Sequence, residues 1–146
     1  MTDAPTSTTV VPEETGVAPA GPRATLTTLR VLAVLHALSV LAQPTFAGLY
    51  LSGDVDALGL HSLNSNLVAV LGLCQLVAAI VFGWRGRGRW WPLYASIAVL
   101  LAETLQTELG YVRMIAIHVP LGVSVVAGQI LLTVWLFRAD AARGRK

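Results

Sequence analysis

Apolar residues run almost unbroken through four stretches of the chain, about 29–51, 62–83, 91–110 and 114–137. Each is close to the roughly 20 residues that carry a helix across about 30 Å of hydrocarbon. The residues that interrupt these runs are as regular as the runs themselves. In the first, His36, Ser39, Gln43 and Ala47 recur at offsets of 3, 7 and 11, which is one face of a helix. In the second, His61, Asn64, Ser65, Gly72 and Gln75 fall the same way. The third offers Glu103, Gln106, Thr107 and Gly110, and the fourth His118, Gly122 and Gln129. Lipid provides no hydrogen-bond partners, so such stripes turn inward. The pattern predicts an all-α, integral membrane four-helix bundle made of two hairpins.

The segments between the runs set boundaries and direction. The first helix is expected to begin near Thr28 and to bend at Pro44, where a backbone donor is missing. The connection SGDVDALGL, with Asp54 and Asp56, leads to a second helix expected to start at about His61 and end at Trp84. The loop RGRGR follows, then Trp90, Trp91 and Pro92, which suit a membrane interface and a helix's first turn. Nine of the ten basic residues fall on one side of this layout, with only Arg113 on the other. By the positive-inside rule both termini are cytoplasmic and the hairpin turns face outward. Residues 1–24, rich in Thr, Pro, Ala and Ser, read as a disordered cytoplasmic tail. That leaves 25–138 as the transmembrane domain and 139–146 as a basic cytoplasmic tail. The expected location is a bacterial inner membrane, multi-pass.

Composition narrows the function classes. The 146 residues are 55% hydrophobic and only 12% charged, about half the charge of an ordinary soluble domain. The net charge of +2 therefore reflects topology and does not indicate nucleic-acid affinity. The lone Cys74 has no disulfide partner and reads as a small apolar packing residue. There is no nucleophile–base constellation, phosphate loop or cysteine metal site, so the reading leans away from an enzyme. The lipid bilayer is the expected partner, with a homodimer or larger membrane complex as a further one.

Candidate chemistry lies with the histidines and one glutamate. The stretch Glu103–Gly122, ETLQTELGYVRMIAIHVPLG, reads as a helix end, a tight turn and the next helix start. Gln106 and Gly110 precede the turn and His118 follows it. Gln43, Gly48 and His61 repeat the arrangement upstream. His61 and His118 fall at similar depth near the outer surface, so one iron is within reach of both, and a glycine one turn on, Gly122, leaves room for a porphyrin face. His36 lies too deep to join them, at about the level of Gln75 and Gln129. Against this stands a plainer reading, in which the polar residues only hold the helices together. Glu103 is the costliest residue, at about 2.5–3.5 kcal/mol near mid-membrane, and is expected to be protonated or paired inside the bundle, serving proton transfer or simply bonding Gln106 or Gln43. Glu108 is expected to pair with Arg113.

The motif Gln-x-x-x-Gly, a short outer turn, then His resembles one half of the haem A synthase family. The layout resembles more closely a family of small, uncharacterised four-helix integral membrane proteins of high-GC bacteria. The likeness covers roughly residues 29–137. It implies His61 and His118 as a haem ligand pair. It departs from the haem A synthases in two respects. Ala57 to Leu60 precede His61, with Asp56 as the nearest acid, and a second four-helix half is absent unless two copies assemble. Haem binding without oxidation of a haem methyl group is therefore what the resemblance implies.

Taken together, the expected function is a membrane protein holding a b-type haem, for electron transfer or haem handling near the outer leaflet. Its cofactor-binding residues would be His61, His118, Gly122, Gln43 and Gln106, with the two histidines on the metal. The alternatives are a cofactor-free accessory or assembly subunit and a small proton-coupled transporter using Glu103.

Overall fold

The computed structural model describes residues 23–144. Four helices follow one another: α1 (Arg23–Leu51), α2 (Ala57–Trp84), α3 (Trp91–Tyr111) and α4 (Ile115–Leu136), with a 3-10 turn at Ala139–Ala142. There is no strand among the described residues. The expected N-terminal tail, up to residue 22, and the last two residues lie outside them. Two helices start earlier than their apolar runs suggest. α1 begins at Arg23 rather than near Thr28, and α2 at Ala57, one turn ahead of His61. Hydropathy marks where a helix becomes greasy, whereas local hydrogen bonds mark where it begins.

Those bonds are visible at the turns. Asp54 Oδ1 accepts from the N–H groups of Asp56 and Ala57, at 3.1 and 3.3 Å, and so steadies the start of α2. Gly53 takes φ +105°, a conformation that other residues rarely adopt. Between α3 and α4, Arg113 is left-handed at φ +58° and Met114 N–H returns to Leu109 O at 2.9 Å. This is a Schellman closure, which satisfies a carbonyl at the end of α3. Pro92 lies in the first turn of α3, where its missing N–H costs nothing.

Each helix packs on two neighbours, α1 and α3 both touching α2 and α4. The bundle is therefore square, with α1–α3 and α2–α4 as its diagonals. Its two ends differ. At the end that carries the described chain termini, Leu26, Leu29, Ala33, Ala78, Ala79, Phe82, Leu132, Leu136 and Ala141 form a fully buried core. Trp91 and Trp135 meet edge to face there, 4.4 Å between ring centroids. Arg30 Nε donates to Leu136 O at 2.8 Å, satisfying a carbonyl at the C-terminus of α4. At the opposite, hairpin end the inward residues Gln43, Ala47, His61, Gln106, Gly110, His118 and Gly122 are only half-buried. The bundle is tight below and open above.

Valines, leucines and isoleucines cover the outside, as a lipid-facing surface requires. Three helices are long and apolar enough to cross a membrane: Ala24–Leu51, Ala57–Trp84 and Ile115–Leu136. α3 is the exception to the four spans expected from hydropathy. Its 21 residues suffice in length, but two glutamates and several Ser, Thr and Gln residues dilute its apolar character. Cys74 also departs from expectation. It is exposed on the outer face of α2 rather than packed inside.

Candidate functional site

Polar chemistry is arranged in two layers. The deeper layer ties all four helices together. Gln75 on α2 and Gln129 on α4 face each other across one diagonal and exchange amide hydrogen bonds of 3.2 and 2.7 Å. Gln75 Nε2 also reaches Ser96 Oγ on α3 at 3.3 Å. Gln129 Nε2 donates to the backbone carbonyl of Ala33 on α1 at 3.1 Å. Across the other diagonal, His36 Nε2 lies 2.9 Å from Glu103 Oε1. His36 Nδ1 meets Gln75 Oε1 at 3.1 Å. All five side chains are buried, His36 and Gln129 completely.

These contacts fix where the protons are. The Ala33 carbonyl can only accept, so Gln129 must present its nitrogen there and its oxygen to Gln75 Nε2. Gln75 then presents its oxygen to Gln129 Nε2 and to His36 Nδ1, and Nδ1 must carry a proton. One further proton belongs between His36 Nε2 and Glu103 Oε1. Without it, the same two atoms would be facing lone pairs with no bond between them. The pair is neutral overall wherever that proton rests, which is how an apolar bundle tolerates a carboxyl group and an imidazole in its core.

Glu103 therefore pairs with His36, a correction to the expected bond with Gln106 or Gln43. α1 and α3 run in the same direction, with His36 thirteen residues into one and Glu103 twelve into the other. At 1.5 Å per residue they reach the same depth. Gly72 makes room for the contact, since a β-carbon there would lie 3.0 Å from Glu103 Oε2. Glu108 and Arg113, expected to pair, form no ion pair. Among the described residues the second ion pair is Arg143–Asp140, 3.2 Å and exposed.

The upper layer holds the predicted histidines. His61 Nδ1 lies 3.1 Å from Gln43 O, and His118 Nδ1 lies 2.9 Å from Gln106 O. In each hairpin, the histidine of the second helix is bonded to the backbone of the glutamine on the first. With its amide turned so that oxygen and nitrogen both find partners, Gln43 donates to His61 O at 3.1 Å and accepts from Ser65 N–H at 3.2 Å, and the same nitrogen lies 3.2 Å from His61 Nδ1. One turn below, Ser39 and Asn64 exchange two bonds of 2.8 Å. A carbonyl oxygen accepts only, so both Nδ1 atoms carry protons and each neutral ring has its lone pair on Nε2. In metalloproteins a ligand histidine is oriented by a bond of this kind from its other ring nitrogen. The two rings stand on diagonally opposed helices, four residues into α2 and three into α4.

The fit to a haem is set by the donors and by the space between them. The donor set suits haem iron, which takes axial imidazole nitrogens. Gly122 differs from its predicted role as a gap, because the Gln106 amide fills the space over it, with Nε2 2.7 Å from where a β-carbon would stand. That amide makes no hydrogen bond among the described residues, and Gln106 Oε1 is buried without a partner. A flexible group with no bonds to lose yields its place cheaply. No group of three or more His, Cys, Asp or Glu side chains able to hold a metal occurs among the described residues.

Comparison with known proteins is negative. No family model, curated protein or solved structure matches the chain. The arrangement of side chains is what a functional reading has to rest on.

Sequence reasoning placed His61 and His118 in corresponding positions and set His36 apart from them, at the level of Gln75 and Gln129. It missed the His36–Glu103 contact. The equal distance of both residues from their helix starts was the signal that could have found it.

Proposed function

We propose that this chain is an inner-membrane protein of four spans that holds one b-type haem between His61 and His118. It would serve electron transfer or haem handling near the outer leaflet. The observation that carries the reading is the repeated Nδ1–H···O=C bond, which leaves both Nε2 lone pairs free on opposed helices. Haem supplies a one-electron couple. The chain's own residues would contribute two oriented ligands, a half-open approach from the hairpin end and an apolar seal below it.

α3 counts as a span in this reading although it is the least apolar. It runs antiparallel between α2 and α4, and its polar residues Ser96 and Glu103 are buried against its neighbours rather than offered to lipid. Nine of the ten basic residues fall, along the sequence, on the side of the layout that bears the termini, and by the positive-inside rule this supports a cytoplasmic orientation for that side. A transporter reading built on Glu103 has less support, because the carboxyl group is buried and paired with His36.

Titrating the detergent-purified protein with haem b, followed by its absorption, tests the proposal. Saturation at about one haem per chain in the wild type, lost in His61→Ala and in His118→Ala, is expected for a two-histidine site. Equal haem uptake by both variants would remove the two histidines from the role given to them.

A further inference from the structure

The His36–Glu103 pair has a use beyond neutralising charge. Glu103 is 5% exposed, and its Oε2 has no hydrogen-bond partner among the described residues. One turn nearer the hairpin end, Gln106 Oε1 is buried and unpartnered as well. Both are acceptors without a donor, on successive inward positions of α3. An oxygen left dry forfeits the hydrogen bonds water would give it, so each calls for a water molecule or a proton. The centre of the bundle at this depth is closed by Val40, Val68 and Val125. The α3 face is then the polar connection between the deep pair and the half-open hairpin end.

We propose that His36 and Glu103 form an exchangeable proton site, reached by water from the outer face past Gln106. The resting pair holds one proton between Nε2 and Oε1. A second proton is accepted at Oε2, which changes that oxygen from an unpartnered acceptor into a donor. The pair then gains one positive charge and no bond between heavy atoms is made or broken. Among the described residues no other titratable group faces it. α2 presents Gly72 and Gln75, α4 presents Gln129, and α1 contributes only His36 itself. Glu108 is exposed nearer the outer end of α3, and Arg30 is bonded to Leu136 O near the opposite end.

One consequence of the site rests on the haem reading. Were a haem held by His61 and His118, the His36–Glu103 pair would take up a proton to compensate the charge of an electron added there. With one proton per electron, a tenfold change in proton concentration moves the midpoint potential by about 59 mV.

Infrared spectroscopy of the full chain in phospholipid vesicles without haem tests the proton site on its own. A step in pH is expected to change a carboxyl band in the wild type. Glu103→Gln should lack that part of the change while keeping the response of the exposed carboxylates. Transfer into deuterated water should shift the same band, and Gln106→Leu should slow the shift severalfold. A pH response identical in wild type and Glu103→Gln would overturn the proposal. So would a Glu103 band that never takes up deuterium. In haem-loaded protein, a midpoint potential with the same pH slope in wild type and Glu103→Gln would overturn the coupling alone. A protein that takes up no haem but passes the infrared test would lose the haem reading and keep the proton site.

Discussion

Gln75 sits where four helices meet, and its two amide atoms make four hydrogen bonds to three neighbours. Its oxygen accepts from His36 and Gln129, and its nitrogen faces Ser96 and Gln129. Replacing it by leucine leaves His36 Nδ1 and the Gln129 amide short of partners in a dry core. A loss of about 1–3 kcal/mol per stranded group is expected, readable as a lower thermal unfolding midpoint in detergent. The same reasoning separates two glycines. At Gly72 a β-carbon meets Glu103 Oε2 at 3.0 Å and Leu100 Cδ1 at 3.1 Å, and the carboxyl group is tied to His36 through Oε1. Gly72→Ala should therefore cost about 1–3 kcal/mol through overpacking. At Gly122 the only obstacle is the unbonded end of Gln106, so Gly122→Ala should leave the unfolding midpoint nearly unchanged. Equal losses at the two positions would contradict the packing described. Much of this layer was legible in sequence as polar stripes at helical spacing. The diagonal contacts were not, because a stripe reveals which face turns inward but not which residue it meets there.

α3 is the element on which the membrane reading depends most. Alone it is poorly suited to lipid, since Glu103 near a bilayer centre costs about 2.5–3.5 kcal/mol on insertion scales while leucine is favourable. Within the bundle that cost is offset by His36, which comes from a helix almost seventy residues earlier in the chain. The isolated α3 segment should thus insert poorly in a glycosylation-mapping assay. Glu103→Leu should improve its insertion by about 3 kcal/mol. Efficient insertion of the wild-type segment alone would show that its neighbours are not needed. This is also why four spans read cleanly from the sequence while three meet the criterion by composition. Hydropathy averages along one segment, whereas burial of α3's polar face is decided by segments far away. Helix starts shifted for a related reason, because Asp54 and its N–H partners fix the beginning of α2 before its apolar run starts.

At the scale of the molecule, the contrast between a closed terminal end and a half-open hairpin end gives the bundle a direction. If basic residues set topology, a reporter that fluoresces only in the cytoplasm should be active when fused after residue 146. A periplasmic phosphatase should be active when inserted at the turn near Gly53. The reverse pattern would turn the molecule over and move the histidine layer to the cytoplasmic leaflet. The two hairpins repeat one device, a histidine bonded through Nδ1 to the backbone of the preceding helix, at matching depth on opposed helices. The repetition was visible in the sequence as Gln43–Gly48–His61 and Gln106–Gly110–His118. The bond that leaves each Nε2 free was not, since it involves a backbone carbonyl that no residue pattern encodes. The most direct measurement is the dithionite-reduced minus oxidised spectrum of the protein purified from cells supplied with haem precursor. It would be compared across wild type, His61→Ala, His118→Ala and His36→Ala. A reduced α-band present in wild type and His36→Ala and lost in the other two is the predicted result. A featureless wild-type spectrum, or a band that survives both His61→Ala and His118→Ala, would contradict the account.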